Sequence, residues 1–178
     1  GIVQQIDRPD ISLNELMQFI KGPDFPTGAL ICGRNGIINA FSTGRGKLTL
    51  RAKMSVETVK NHPTVIVTEI PYMVNKAETI EQIADLVHDK KILGISDLRD
   101  ESDRDGMRIL VQLKKDANPD VVINQLYKYS RLQVTFSVIM LALVNNVPKI
   151  LPLKQTIHHF IEHRREMVRK RTQYDLKK

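Results

Sequence analysis

Apolar residues recur at helical spacing in four stretches and alternate with polar ones in several others, and these two periods divide the chain into elements. Leu13, Leu16, Met17 and Ile20 share one helical face. Ser12 ahead of them with Glu15 three residues on forms a capping-box pattern, which predicts a helix over 12–20 ended by Lys21-Gly22-Pro23. The prolines and glycines of 22–28 make a rigid loop and a plausible domain boundary. Ala29 to Cys32 reads as a short buried strand, Gly33-Arg34-Asn35-Gly36 as a turn, and Ile37 to Phe41 as an apolar segment of open type.

From Gly44 to Met54 the alternation is strict: Leu48, Leu50, Ala52 and Met54 fall on one face, and Arg45, Lys47, Thr49, Arg51 and Lys53 on the other. This predicts one half-buried strand, pairing with Thr64 to Ile70 across a polar loop around Lys60-Asn61-His62-Pro63. Asn75 as cap with Glu78 behind it, then Ile80, Ile83, Ala84 and Val87, predicts a helix to about Lys91, closed by Gly94. An acidic loop, 97–105, precedes a strand carrying Met107, Ile109, Val111 and Leu113. Asn118-Pro119 opens a further helix bearing Val122, Leu126 and Tyr129, and Leu132, Val134, Phe136 and Val138 alternate as a strand. After Pro148 and Pro152, Leu153, Phe160, Met167 and Tyr174 recur every seven residues, the mark of a long helix with a coiled-coil seam. No cap or stop signal follows, which predicts that this helix continues in a longer chain. The expected class is α+β, a mixed sheet with flanking helices followed by the long C-terminal helix.

Composition narrows the function. In 178 residues, 27 Lys and Arg against 20 Asp and Glu leave a net charge of +7, which favours an anionic partner. Most of the excess lies on the last helix, where eight cations from Lys154 to Lys178 face only Glu162, Glu166 and Asp175. Aromatics at 5% with no Trp argue against a carbohydrate-stacking site. A single cysteine, Cys32, excludes a disulfide framework and a thiolate cluster, and predicts a reducing, cytoplasmic compartment. No apolar run approaches membrane-spanning length, and the first ten residues lack the layout of a signal peptide, so neither a membrane partner nor export is expected.

The strongest candidate chemistry is the row Arg45, Lys47, Arg51 and Lys53. Same-face residues on a strand repeat at roughly 6.6 Å, a spacing that suits successive phosphates. Such cations release counterions on meeting nucleic acid and give affinity with little sequence readout. An ordinary solvated sheet face is the competing reading. Gly44-Arg45-Gly46 lets a backbone come close and offers amide donors. On the last helix, His159-Phe160-Ile161-Glu162-His163 fits the H-x-x-E-H pattern of a zinc hydrolase, but no downstream third ligand is evident and Arg164 and Arg165 would repel a dication. Glu101, Asp103, Asp105 and Gly106 imitate the start of a calcium loop, yet Gln112 stands where a bidentate Glu is required. Neither metal is therefore expected, and no catalytic triad, Walker loop or dinucleotide fingerprint is present.

Six separated segments, in order, carry a resemblance: 22–28 (GPDFPTG), 43–47 (TGRGK), 69–72 (EIPY), 75–77 (NKA), 97–103 (DLRDESD) and 132–134 (LQV). Together the chain resembles the family of DNA gyrase A subunits, bacterial type IIA topoisomerases, from about Asp10 to Lys178. The resemblance implies the end of a preceding domain and a linker helix over 1–26, a tower domain over 27–147, and the start of a coiled coil over 148–178. It implies an ATP-dependent isomerase that introduces negative supercoils by double-strand passage. Its implied partners are duplex DNA, a second A subunit, and the gyrase B subunit, which holds ATP and Mg2+. The family's nucleophilic Tyr follows an Arg. The four tyrosines here follow Pro71, Leu126, Lys128 and Gln173, so the catalytic Tyr is expected to lie outside this piece, which alone is expected to be inactive and to hold no cofactor or metal. Its implied work is to hold and help bend the gate duplex. Arg45, Lys47, Arg51 and Lys53 are the first candidates for backbone contact, with Lys76 and Arg34 behind them. Ser137-Val138-Ile139 departs from the family's usual Gly-Ile-Asn. The related topoisomerase IV subunit, or a non-catalytic basic scaffold module, is the alternative.

Overall fold

A computed structural model describes residues 1–59 and 61–178, and in it the chain forms two compact units. One comprises Gly1–Pro23, Gly33–Leu48 and Ser137–Lys178, the other Asp24–Cys32 and Thr49–Phe136. The architecture is α+β with a long C-terminal helix, as expected, and each strand pairing whose register is described is antiparallel.

The second unit is built on a four-stranded sheet in the order β3-β4-β6-β5, from β3 (Lys53–Val59), β4 (His62–Glu69), β5 (Ile95–Asp100) and β6 (Ile109–Leu113). Helices α4 (Lys76–His88) and α5 (Pro119–Tyr129) pack on it through Ile83, Val122 and Leu126, against Val65 and Val67 of β4 and Ile109, Val111 and Leu113 of β6. Both helices start as the sequence predicts. Asn75 Oδ1 accepts from the N–H groups of Ala77 and Glu78, and Asn118 Oδ1 from that of Asp120, satisfying donors that a helix start leaves unpaired. α4 ends at His88, three residues before the expected Lys91. The acidic stretch expected to be all loop is strand up to Asp100. Its Ile95 is buried, and β5 is an edge strand whose outward acids remain solvated. The hairpin expected between 44–54 and 64–70 forms instead between β3 and β4, because residues 45–51 lie in a different sheet; Lys60 lies outside the described residues.

The predicted strand over 44–54 is two strands. β2 (Arg45–Arg51) belongs to a three-stranded sheet ordered β1-β2-β7, with β1 (Leu30–Cys32) and β7 (Gln133–Ile139). Ala52 interrupts it: its N–H donates to the Leu132 carbonyl at 2.8 Å, and its carbonyl accepts from the Tyr127 hydroxyl at 2.9 Å. These two bonds take the backbone out of one ladder, and β3 joins the other. Side-chain alternation runs unbroken through Ala52, so periodicity alone cannot reveal the break.

The first unit holds α1 (Ile2–Asp7), α2 (Leu13–Phe19), α3 (Asn35–Thr43), the hairpin β8 (Leu141–Val144) with β9 (Val147–Ile150), and α6 (Leu153–Asp175), and within it Leu16, Met17, Phe41, Leu48, Ile157 and Ile161 are buried. The capping box of α2 is formed: Ser12 Oγ accepts from Glu15 N–H, and Glu15 accepts from Ser12 N–H at 2.9 Å. The segment 33–36, expected to be a turn, instead leads into α3. Gly36, Ile37 and Ile38 are poor helix formers, but Ile37, Ala40 and Phe41 bury one face and tertiary packing decides. Along α6 the buried residues are Leu153, Ile157 and Ile161, whereas Phe160 and Tyr174 of the seven-residue repeat are exposed. No helix among the described residues is long and apolar enough to cross a membrane.

Candidate nucleic-acid interface

The six candidate cations fall into two groups. Arg34, Arg45 and Lys47 belong to the first unit. Arg34 is the N-cap residue of α3, and Arg45 and Lys47 open β2, all three exposed. The turn between these elements is set by Gly44, whose φ of 78° closes α3 while its N–H donates to the Ala40 carbonyl at 2.8 Å. Thr43 Oγ1 then accepts from Arg45 N–H at 3.1 Å and holds the strand entry.

Two glycines let α3 lie directly on the start of β2. A Cβ on Gly46 would stand 2.4 Å from the Gly36 carbonyl oxygen and 2.8 Å from Ala40 N, and one on Gly36 would stand 2.0 Å from the Lys47 carbonyl oxygen. The close approach that the Gly44-Arg45-Gly46 turn permits is therefore occupied by the chain's own helix. With the backbone facing α3, the Arg45 and Lys47 side chains project to solvent. Neither they nor Arg34 has an acidic partner among the described residues.

Arg51, Lys53 and Lys76 belong to the second unit, and each is engaged there. Arg51 Nε donates to Gln133 Oε1 at 2.6 Å, and its guanidinium lies 4.7 Å from the centre of the Tyr127 ring, a cation–π contact. Burial pushes the Tyr127 hydroxyl pKa up, so it stays a donor toward Ala52. Lys53 Nζ meets Glu69 Oε1 at 3.0 Å. Glu69 also accepts from the N–H of Ala29, whose φ is 74°; these contacts, the amide first and Lys53 second, hold its carboxyl below the usual range. Lys76 Nζ meets Asp100 Oδ2 at 2.7 Å and, with the Ser102 hydroxyl and N–H, holds the Asp100 pKa down to about 2. The row expected on a single strand face is thus divided at Ala52 between two strands and two ladders.

Sequence reasoning missed the neighbours of Arg45 and Lys47. These two line a groove of about 590 Å3 with Asn35 and Asn39 of α3 and Val138 and Ile139 of β7. Asn35 and Asn39 are four residues apart, which signals one helical face only once the segment is known to be helical.

Two carboxylates of the metal-like patterns, Glu162 and Glu101, stand in ion pairs. Glu162 is paired with Arg165 at 3.0 Å and Glu166 with Lys170 at 2.6 Å, while Arg108 reaches Glu57 at 3.4 Å and Glu101 at 3.7 Å. Arg99 pairs with Asp97. Among the described residues no cluster of His, Cys, Asp or Glu is arranged to hold a metal ion.

Among the described residues, the α+β scaffold thus presents three exposed cations without acidic partners, Arg34, Arg45 and Lys47, beside the left-handed Gly44 turn. The family of the DNA gyrase/topoisomerase IV A subunit matches residues 1–178. The chain is 56% identical to the A subunit of DNA gyrase from Clostridium acetobutylicum, over its full length and 22% of that protein. It is 54% identical to the A subunit of Fibrobacter succinogenes gyrase over 97% of this chain and 19% of the relative, and 46% identical to that of Helicobacter pylori over 100% and 22%. The chain belongs to the family of DNA gyrase/topoisomerase IV A subunits and spans about a fifth of the length of these curated relatives.

Proposed function

We propose that this chain is the duplex-holding part of a DNA breakage-reunion subunit of gyrase type, binding the gate duplex through its sugar–phosphate backbone and supporting its bend. The observation that carries the reading is the exposure of Arg34, Arg45 and Lys47 without acidic partners, because only cations not already neutralised release counterions fully when they meet phosphates. Family membership supports it. Relatives named as the A subunit of DNA gyrase favour gyrase over topoisomerase IV as the parent activity. Arg51, Lys53 and Lys76 take a secondary part, since each must first leave or share a contact within the protein.

In this reading two A subunits assemble with the gyrase B subunit, which binds ATP and Mg2+, and the complex works in the cytoplasm on the nucleoid. Residues 27–147 serve as the tower and 148–178 begin the coiled coil. None of the four tyrosines follows an arginine, so the nucleophile for strand cleavage is assigned outside these residues. Bending a duplex costs several kcal/mol, and backbone contacts on its arms offset that cost without reading bases.

The test is fluorescence anisotropy with a ~30 base-pair duplex over a salt series. Changing Arg34, Arg45 and Lys47 together to Ala is expected to lower the slope of log K against log salt by about 2.7, at about 0.9 for each phosphate no longer neutralised. An unchanged slope overturns the assignment.

A further inference from the structure

The groove beside Arg45 and Lys47 combines three kinds of surface. Arg45 and Lys47 stand two apart on a strand, repeating at roughly 6.6 Å. Asn35 and Asn39 stand one turn apart on α3, their Cβ atoms about 6 Å from each other. Ile139, at 57% exposure, gives the groove an apolar part with Val138, and no acidic side chain lines it. The contact of Gly36 and Gly46 holds the amide row beside the cation row at a nearly matching repeat.

Both asparagines are exposed, and neither side-chain amide makes a hydrogen bond among the described residues; Asn39 uses only its main-chain carbonyl, which accepts from Thr43 Oγ1 at 2.7 Å. Asn39 lies in the interior of α3, where Asn is a poor choice unless its side chain has work there, and Asn35 opens the helix one turn earlier. Both flank a cationic groove.

We propose that Asn35 and Asn39 are further DNA-binding residues: their amide N–H groups donate to phosphate oxygens of the strand that Arg45 and Lys47 neutralise, and deoxyribose packs on Ile139. This rests on the reading of the face as a duplex-backbone surface. Phosphate oxygens are the ligand chemistry that both rows share, because guanidinium, ammonium and amide groups all donate to them. Asn amides could also read an adenine edge, but the matched repeat of the two rows favours the backbone.

Neutral and cationic donors leave different signatures, which separates this inference from the reading it rests on. Removing an amide donor weakens binding equally at all salt concentrations, because no counterion is released. Removing a cation changes the slope. In the anisotropy salt series, Asn35→Ala with Asn39→Ala is expected to weaken binding about 10-fold at each salt concentration, with the slope kept, for random and A-tract duplexes alike. Arg45→Ala with Lys47→Ala is expected to lower the slope by about 1.8. Ala is a better helix former than Asn, so the amide variant keeps α3, checked by its unchanged far-ultraviolet dichroism.

If the amide variant binds as wild type while the cation variant loses slope, the inference fails and the duplex-binding reading stands. A slope change in the amide variant also overturns it, as does a loss confined to one sequence. If neither variant differs from wild type, or the wild-type chain shows no salt-dependent binding, both fall together.

Discussion

Gly36→Ala tests how the cations of β2 are positioned, and local reasoning and tertiary reasoning give it opposite signs. Gly36 lies inside α3, where Ala is favoured over Gly by about 1 kcal/mol. On propensity alone the substitution stabilises. Against this, the added Cβ would stand 2.0 Å from the Lys47 carbonyl oxygen, 3.0 Å from Lys47 C and 3.1 Å from a Leu48 methyl. Ordinary contact begins at 3.4 Å, so the helix and strand must separate by more than 1 Å at a backbone atom that has no rotamer to change. Forcing a methyl into a filled contact costs about 1–3 kcal/mol, and backbone on the opposing side places this case at the top of that range. The net expectation is a loss of about 2 kcal/mol, or about 4–8 °C in Tm for a chain of this size. Urea unfolding followed by far-ultraviolet dichroism, with calorimetry for Tm, measures it. Because Gly36 rests on the carbonyl of Lys47, the same variant should weaken duplex binding. A midpoint equal to or above wild type would refute the reasoning, since it would mean that α3 does not rest on β2 as described.

Two further outcomes probe the second unit. Leu126 is fully buried in its core, and Leu126→Ala should cost about 2–5 kcal/mol by chemical denaturation; a loss under about 1 kcal/mol would contradict that packing. The Asp100 pKa is lowered from 3.8 to about 2, so its contribution to stability is present above pH 3.8 and lost as pH falls through about 2. Lys76→Gln, which removes the largest cause of the shift, should make the urea midpoint fall less between about pH 4 and pH 2 than it does in wild type. Equal falls would count against the Lys76–Asp100 pair as the cause.

Much of the architecture is legible because its signals are local. Ser12 with Glu15, Asn75 with Glu78 and Asn118 with Pro119 mark helix starts through bonds a few residues long, and each forms as the sequence predicts. The strands of the second unit follow from alternation or short β-rich runs, except β5, whose acidic residues obscured an edge position. The site was half legible. Arg34, Arg45 and Lys47 are recognisable as cations in a glycine-rich setting, but that they lack acidic partners, whereas Lys53 and Lys76 have Glu69 and Asp100, depends on residues 16 and 24 positions away in sequence.

What the sequence by itself determined is the set of elements with strong local codes, the α+β class, the cationic character and, through six ordered segments, the family. What only the tertiary structure decided is where those codes are overridden. Two hydrogen bonds at Ala52, its N–H donating to the Leu132 carbonyl and its carbonyl accepting from the Tyr127 hydroxyl, divide one alternating run into two strands, and burial of Ile37, Ala40 and Phe41 makes a helix from residues that do not favour one. The physical reason is the same in both places. A backbone hydrogen bond or a buried face from a distant segment outweighs a propensity difference of at most about 1 kcal/mol per residue, and periodicity carries no record of the distant partner.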